Sequence, residues 1–174
     1  MNTSTHIGQG ERAPDFVLPI QGGTPTRFYA RAGGVPTVLV FAPDTGKKIR
    51  SFVNLLQEQE DAPDIFIVQS EQKITHTSPA IFTDIENKVR KAYRIGETEY
   101  PIVLVLNPNL RVLSTHTLKD SSVAIEQITQ TLTEHPQPSP QEITTQAPVL
   151  LIPNVLTPDI CQALINVWHT QGNE

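Results

Sequence analysis

The sequence predicts an α/β protein in which helices flank a mixed central sheet. Three short apolar runs, at 35–42 (VPTVLVFA), 64–69 and 102–106, are typical of strands that are buried on both faces. Segments with apolar residues at helical spacing follow these runs. The resulting order β-α-β-α-β-β-α places helices against a partly parallel sheet.

A hairpin is expected ahead of this unit. Two short apolar segments, Phe16–Ile20 and Arg27–Ala30, lie on either side of Gly22-Gly23. The glycine pair lacks the lysine and the serine or threonine that follow in a phosphate-binding loop. We therefore interpret these glycines as turn residues.

The first helix should begin just after Pro43, because Asp44 or Thr45 can cap it. Apolar residues then recur at i, i+3, i+4 and i+7, which is one face of a helix. They are Ile49, Phe52, Val53 and Leu56.

Two further helices are predicted. The first runs from about Asp84 to Ile95, with Ile85, Val89 and Ala92 on one side and Asp84 on the solvated face. After the strand at 102–106, a turn at Asn107-Pro108 leads into a strand at 111–116. The last of these helices opens at Ser121 or Ser122 and carries Ala124, Ile125, Ile128 and Leu132 on its apolar face.

Composition excludes several classes of protein. The chain has 174 residues, a net charge of −5 and one cysteine. The negative charge argues against general nucleic-acid binding, and a single thiol excludes a CxxC pair and a cysteine-built zinc site. No signal peptide and no membrane-length apolar run is visible. We therefore expect a cytoplasmic protein with no nucleic-acid or membrane partner.

The domain organisation changes after Leu132. Residues 1–132 form the predicted first domain, and residues 133–146, with three prolines at alternate positions, read as an extended linker. Residues 147–174 contain an apolar run and then a helix start at Thr157-Pro158. This appendage is the predicted start of a second, truncated domain.

The apolar stripe of the final helix predicts an interface. It consists of Cys161, Leu164, Ile165 and Trp168. We expect these residues to pack against the first domain or, in a homodimer, against the same helix of a second copy. Cys161 fits this stripe as a small apolar residue, and the competing interpretation makes it a displaced nucleophile or an intermolecular disulfide partner.

Several motifs resemble one known family. Residues 10–19 (GERAPDFVLP), 33–43 (GGVPTVLVFAP), 89–95 (VRKAYRI) and 100–113 (YPIVLVLNPNLRVL) resemble the peroxiredoxin-like branch of the thioredoxin fold, the redoxins of alkyl hydroperoxide reductase type. The resemblance covers about residues 8–132. It implies a thioredoxin-like fold and a thiol-based peroxidase activity.

The sequence departs from that family at the active site. Peroxiredoxins show a proline, a threonine four residues later and the peroxidatic cysteine three beyond it. Counting from Pro43 gives Lys47 and Arg50, so the hydroxyl and the thiol are both missing. Tyr100-Pro101 resembles the cis-proline position of thioredoxins. We call five residues the degenerate active-site positions: Pro43, Lys47, Arg50, Tyr100 and Pro101. No catalytic residue is predicted.

The start of the first helix also suggests an anion site. Gly46, Lys47, Lys48 and Arg50 place positive charge beside free backbone N–H groups, where an anion would be stabilised. The competing interpretation is that the cations point into solvent.

The C-terminal segment resembles a different family. Residues 147–172 are similar to the opening strand and helix of prolyl 4-hydroxylase-like oxygenases, which use Fe(II) and 2-oxoglutarate. Their iron site needs a histidine followed two residues later by an acid, and none of the five histidines here meets this requirement. No metal ligand is therefore predicted, and both cofactors are expected only in a longer parent protein.

These features favour a non-catalytic, peroxiredoxin-like accessory or partner-binding domain, whose partner is a protein or the adjacent oxygenase domain. One alternative is a redoxin-type oxidoreductase with a non-standard site. Another is a small-anion or peptide-binding module at Tyr100-Pro101.

Overall fold

The computed structural model describes residues 6–59, 61–70, 79–136 and 156–171. Within these ranges a five-stranded sheet is flanked by helices, and a two-stranded hairpin precedes it. The elements are β1 (Val17–Pro19), β2 (Pro25–Arg27), a 3₁₀ turn (Phe28–Ala30), β3 (Thr37–Ala42), α1 (Lys47–Gln57), β4 (Asp64–Gln69), β5 (Ala80–Thr83), α2 (Lys88–Ala92), β6 (Ile102–Leu106), β7 (Val112–Thr117), α3 (Ser121–Glu134) and α4 (Pro158–Gln171).

The sheet has the strand order β5-β4-β3-β6-β7. The first three of these strands are parallel to one another, and β6 and β7 run antiparallel. This arrangement confirms the predicted α/β class and its mixed central sheet. Because β3 is the central strand, its carboxyl end and the start of α1 lie in the middle of the sheet, at the end where the parallel strands finish.

The core has one apolar layer on each face of the sheet. Alternate residues of β3 belong to different layers: Leu39 and Phe41 join one, and Val38 and Val40 join the other. The second layer also contains the predicted faces of α1 and α3. Burial on both sides explains why the strands read as unbroken apolar runs.

The hairpin is present as predicted, but it is shorter than expected. Strands β1 and β2 pair antiparallel, and Gly22 in the turn has a φ of 75°, a left-handed conformation that suits glycine. Residues Phe28–Ala30 form a 3₁₀ turn rather than a continuing strand. Phe28 is fully buried there, so this bend serves to place an aromatic ring in the core.

Three sequence expectations around α2 are wrong. The helix spans only Lys88–Ala92, because Asn87 and Arg94 have φ values of 53° and 55°, which interrupt a right-handed helix on both sides. Asp84 is not on a solvated face: it is buried, and its carboxylate accepts hydrogen bonds from the backbone N–H groups of Lys88 (2.9 Å) and Arg90 (3.0 Å). Ile85 is exposed rather than packed.

The cap of α3 also differs from the expectation. The N-cap is Asp120, whose carboxylate accepts hydrogen bonds from the backbone N–H groups of Ser122 and Val123. Ser121 is the first helical residue. The predicted apolar face is confirmed, since Ala124 and Ile128 are buried and the remaining two residues are partly buried against the same core.

The chain divides into two compact units, Met1–Pro138 and Ser139–Glu174. In the second unit, α4 begins at Pro158, and the Thr157 carbonyl accepts a hydrogen bond from the Cys161 backbone N–H. This agrees with the predicted helix start. The apolar run at 147–156, which resembles the opening strand of an oxygenase, lies almost wholly outside the described residues. No helix in the described part of the chain is long and apolar enough to cross a membrane.

Candidate functional site

The turn between β3 and α1 holds the first group of predicted site residues. Pro43 and Asp44 are exposed, and Asp44 Oδ1 accepts a hydrogen bond of 2.7 Å from the Gly46 backbone N–H. Gly46, rather than Asp44 or Thr45, is the N-cap of α1. A Cβ atom at Gly46 would lie 2.9 Å from Asp44 Oδ1, so a larger residue would displace the carboxylate from this turn.

The three predicted cations occupy the first turn of α1. Lys47, Lys48 and Arg50 are exposed, whereas Ile49 between them is buried in the core. The Arg50 backbone N–H donates to the Gly46 carbonyl at 3.1 Å, which closes the first helical turn. Within the described part of the chain, the side chains of Lys47 and Arg50 form no ion pair. The residue counted at the peroxidatic position is therefore an exposed, helical arginine.

Tyr100 and Pro101 lie next to this turn. Ile102 pairs with Phe41 across β6 and β3, so Pro101 is adjacent to the strand end that leads into α1. The Pro101 carbonyl accepts a hydrogen bond of 2.8 Å from the Leu118 backbone N–H. The structure thus brings together the two chain segments that the sequence singled out.

A lysine pair joins the segments around the Tyr100 ring. The ammonium groups of Lys48 and Lys119 lie 5.6 Å and 5.7 Å from the ring centroid, within the range of cation–π attraction. Lys48 Nζ also donates a 2.5 Å hydrogen bond to the Lys119 carbonyl. Sequence reasoning missed Lys119, because only the sheet brings the turn after β7 beside α1.

The chemistry of this surface differs from that of a peroxidase. Reduction of a peroxide needs a thiolate that attacks the O–O bond. The surface offers ammonium and guanidinium groups and an aromatic ring, none of which is a soft nucleophile. Cys161, the chain's single cysteine, is exposed on α4 in the second compact unit.

The anion-binding interpretation stays a prediction. Of its four residues, Gly46 already donates its backbone N–H to Asp44, which leaves Lys47, Lys48 and Arg50 as the groups able to face a ligand. No group of three or more histidine, cysteine, aspartate or glutamate side chains within the described ranges could hold a metal ion.

The predicted interface on α4 is solvent-exposed in this chain. Leu164 and Trp168 are each 57% exposed and Ile165 is 48% exposed, and Cys161 is also exposed. Exposure leaves these side chains accessible to a covering surface, and the interface itself stays a prediction.

A cleft lies at the other end of the parallel strands, away from the turn between β3 and α1. It has a volume of about 420 Å³ and is lined among others by Arg31, Asp64, Phe66 and Ala80. Asp64 and Ala80 are the first residues of β4 and β5, whereas Pro43 follows the last residue of the parallel strand β3. The cleft therefore lies at the amino ends of the parallel strands, whereas the degenerate active-site positions lie at their carboxyl ends.

Comparison with solved structures identifies similar folds. A peroxidoxin, BcpB, from Mycobacterium tuberculosis matches with a TM-score of 0.64 and 18% identity, over 76% of this chain and 100% of the other. A putative thiol:disulfide interchange protein, DsbE, from Chlorobium tepidum matches with a TM-score of 0.60 and 17% identity, over 74% and 97%. A thiol peroxidase from Chromobacterium violaceum matches with a TM-score of 0.61 and 12% identity, over 76% and 90%.

No family model and no curated protein matches the chain. At these identities the solved structures establish the fold alone. The first compact unit therefore has the peroxiredoxin-like thioredoxin fold, with Arg50 at the position counted as that of the peroxidatic thiol.

Proposed function

We propose that the first domain is an accessory or partner-binding domain without redox catalysis. The observation that carries this proposal is Arg50, which lies in the first turn of α1 and has a buried neighbour on the sheet side. A guanidinium group cannot attack a peroxide, and the single thiol of the chain lies on α4. The scaffold of a redoxin is thus present without its nucleophile.

We further propose that the partner is an Fe(II)/2-oxoglutarate oxygenase domain that begins at residue 147. The resemblance of residues 147–172 to prolyl 4-hydroxylase-like oxygenases suggests it, and the start of α4 at Pro158 supports it. Apolar residues of α4 such as Ile160, Leu164 and Val167 are about half exposed, as expected for a helix whose covering elements belong to a larger domain.

The residues present here do not fit an iron site, so no step of an oxygenase reaction can be assigned to this chain. The reading frame past Glu174 tests the proposal. A histidine followed two residues later by an aspartate or glutamate, and a second histidine further on, would establish the oxygenase. A stop codon directly after Glu174 would contradict it.

A peroxide-consumption assay with a thiol donor tests the absence of redox catalysis. We expect no turnover above the rate of the donor alone, for the natural chain and for Cys161→Ser. Turnover that disappears in Cys161→Ser would make Cys161 a nucleophile and support the alternative of an oxidoreductase with a non-standard site. Turnover that persists in this variant would reveal a non-cysteine catalyst.

One observation favours a second candidate function, the binding of a small anion or acidic peptide at Tyr100-Pro101. Two ammonium groups lie beside one exposed face of the domain, and Lys48 is held in place by the Lys119 carbonyl. Titration calorimetry with inorganic phosphate and with an acidic peptide tests it. Lys48→Gln should weaken binding, whereas Lys91→Gln, an exposed lysine on α2, should not.

We also propose a cytoplasmic location. The single cysteine supports it, because proteins of oxidising compartments commonly use disulfides. Cell fractionation with an antibody to the chain tests this; recovery from a membrane or extracellular fraction would contradict it.

A further inference from the structure

A polar cluster on β7 and α3 lies outside the degenerate active-site positions. Ser114 and His116 are two residues apart on β7, so their side chains lie on the same face of the sheet. Ser114 Oγ lies 2.8 Å from His116 Nε2, and His116 Nδ1 lies 3.1 Å from Gln127 Oε1 on α3. A hydroxyl, an imidazole and an orienting acceptor are thus connected in series.

The tautomer of the His116 imidazole decides whether Nε2 can accept a proton from Ser114. In the tautomer with the proton on Nδ1, Gln127 Oε1 accepts the hydrogen bond from Nδ1–H and Nε2 has a free lone pair. The Ser114 hydroxyl then donates to Nε2. Burial lowers the pKa of the His116 imidazole below its ordinary value, against a smaller raising effect of the hydrogen bond to Gln127. The lowered pKa favours the neutral imidazole, which is the form that can accept a proton.

Two neighbouring elements hold this arrangement. On α3, Thr131 Oγ1 donates a 2.9 Å hydrogen bond to the Gln127 carbonyl and can accept one from Ser114 Oγ at 3.3 Å. The single proton of Ser114 has its shorter contact, 2.8 Å, with His116 Nε2. On β6, the residues paired with Ser114 and His116 are Val105 and Val103, which are buried and apolar. No ion pair within the described ranges involves any residue of the cluster. Ser114 and His116 are half-buried, so each keeps part of its surface in contact with solvent.

We infer that Ser114 is a nucleophile for acyl transfer from small activated esters, with His116 as its general base and Gln127 as the residue that positions the imidazole. A nucleophile within hydrogen-bond reach of a base, with the base oriented by a third group, is the arrangement that activates a serine. The inference goes beyond the proposed function, because the accessory or partner-binding role was argued from Arg50 and α4 and uses none of these residues.

The step balances without a cofactor. The Ser114 oxygen forms a bond to the ester carbonyl carbon while its proton moves to His116 Nε2. The bond to the leaving alkoxide or phenolate then breaks, and the imidazolium returns its proton to the leaving group or to solvent. A water molecule, deprotonated by the same nitrogen, hydrolyses the acyl-serine and restores the hydroxyl.

The identity of the third residue narrows the substrate class. The Gln127 amide is neutral, so it keeps the correct tautomer but does not stabilise the imidazolium as a carboxylate would. The imidazolium that protonates the leaving group is therefore less stabilised, so departure of a poor leaving group is accelerated less. We expect esters with good leaving groups, such as p-nitrophenyl acetate, to react and unactivated alkyl esters or amides not to react.

The experiment combines hydrolysis of p-nitrophenyl acetate with labelling by a fluorophosphonate probe, whose site of attachment is located by mass spectrometry. In the natural chain we expect the label on Ser114. Both Ser114→Ala and His116→Gln should lose labelling and about 100-fold or more of the rate above the no-protein background. Ser122→Ala, an exposed serine at the start of α3, is the matched control and should keep both.

The pH dependence of the rate in Gln127→Glu distinguishes a positioning role of Gln127 from a purely structural one. In the natural chain the rate should rise with pH through a midpoint below that of an ordinary imidazole, because burial lowers the pKa of His116. A glutamate beside Nδ1 should move that midpoint upward, because a carboxylate favours the imidazolium.

Circular dichroism melts establish that each variant is folded. Folded Ser114→Ala that still hydrolyses the ester at the natural rate, or a label found only on residues other than Ser114, would overturn the inference. Neither result would affect the proposed function, which rests on Arg50.

Discussion

Helices α3 and α4 have the same length, 14 residues each, and both carry an apolar stripe at helical spacing. On α3, Ala124 and Ile128 are buried against the sheet. On α4, Leu164 and Trp168 are more than half exposed. Because the sequence patterns are alike, the difference lies in the surroundings: a stripe becomes core only where a sheet or another helix covers it.

Helix α1 extends the comparison. Its four apolar residues at helical spacing are all 3% exposed or less, while its charged first turn faces solvent. The stability of α1 and α3 therefore comes from burial, whereas α4 still has an apolar face available for a partner. Four predictions test this contrast, beginning with the largest expected effect.

Truncating a covered side chain should have the largest effect. Phe52 on α1 is fully buried, so Phe52→Ala should lower the free energy of unfolding by about 3–5 kcal/mol, the sum of lost burial and a cavity. Leu55 on the same helix is 45% exposed, and Leu55→Ala is the matched control with a cost below about 1 kcal/mol. Urea unfolding followed by circular dichroism measures both. Equal losses would contradict the assigned core.

The stripe of α4 should be covered in solution, by the first domain or by a second copy. Burying a side chain such as Leu164 contributes about 1.5–3 kcal/mol. We expect the emission of Trp168, the single tryptophan, to be blue-shifted relative to free tryptophan in the natural chain. Leu164→Asp should shift it to the red, whereas Gln162→Asp, on the polar side of α4, should not.

Light scattering then identifies the covering surface. A dimeric natural chain and a monomeric chain ending at Glu134 would indicate a second copy, and two monomers with blue-shifted Trp168 emission in the natural chain would indicate the first domain. Two monomers with the emission of a fully exposed tryptophan would disprove the predicted interface.

Removing the acidic residue at the start of α3 or of α4 should have a smaller effect on stability than removing Phe52. Asp120 caps α3 through two backbone N–H groups, so Asp120→Ala should cost about 1 kcal/mol of stability. Asp159 is an acid in the first turn of α4, and Asp159→Ala should cost about 0.3–1 kcal/mol of helix stability through the helix dipole alone. Thermal melts of the two variants compare these costs; a larger loss for Asp159→Ala would reverse the expected ranking.

The pH dependence of α3 packing should give the smallest effect. Burial lowers the pKa of His116, so the unfolded chain binds this proton more readily than the folded one. Stability should therefore be lost as pH falls from about 6.5 through the lowered folded value. His116→Gln should flatten part of this loss. An unchanged pH profile in His116→Gln would contradict the assignment.

Much of the fold was predictable from local pattern, and the errors share a cause. Strands at 64–69 and 102–106 match β4 and β6 residue for residue, because burial on both faces leaves a continuous apolar signal. The sequence reading missed β5, a four-residue strand, and overextended α2. Elements of four or five residues are too short to show the period of a strand (2 residues) or of a helix (3.6 residues).

The candidate site was predictable in part. Pro43 was identified as the proline that the family motif retains, Arg50 as the residue that replaces its cysteine, and Pro101 by its resemblance to the cis-proline position of thioredoxins. The structure brings the segments of these residues together. Lys119 and the cluster of Ser114, His116 and Gln127 were not identified. Ser114 and His116 are neighbours on one face of β7, but Gln127 lies on α3, and Lys119 meets Tyr100 only through the fold. No spacing along the chain records these contacts between elements.

The sequence by itself determined the class of the fold, the long strands, the apolar faces of α1, α3 and α4, and the absence of a thiol where a peroxidase needs one. These properties depend on residue identity and on local period. Only the tertiary structure decided which faces are covered, that Lys48 and Lys119 meet over Tyr100, and that Ser114, His116 and Gln127 are in series. Such contacts depend on how strands pair and where helices cross them, which local interactions along the chain do not specify.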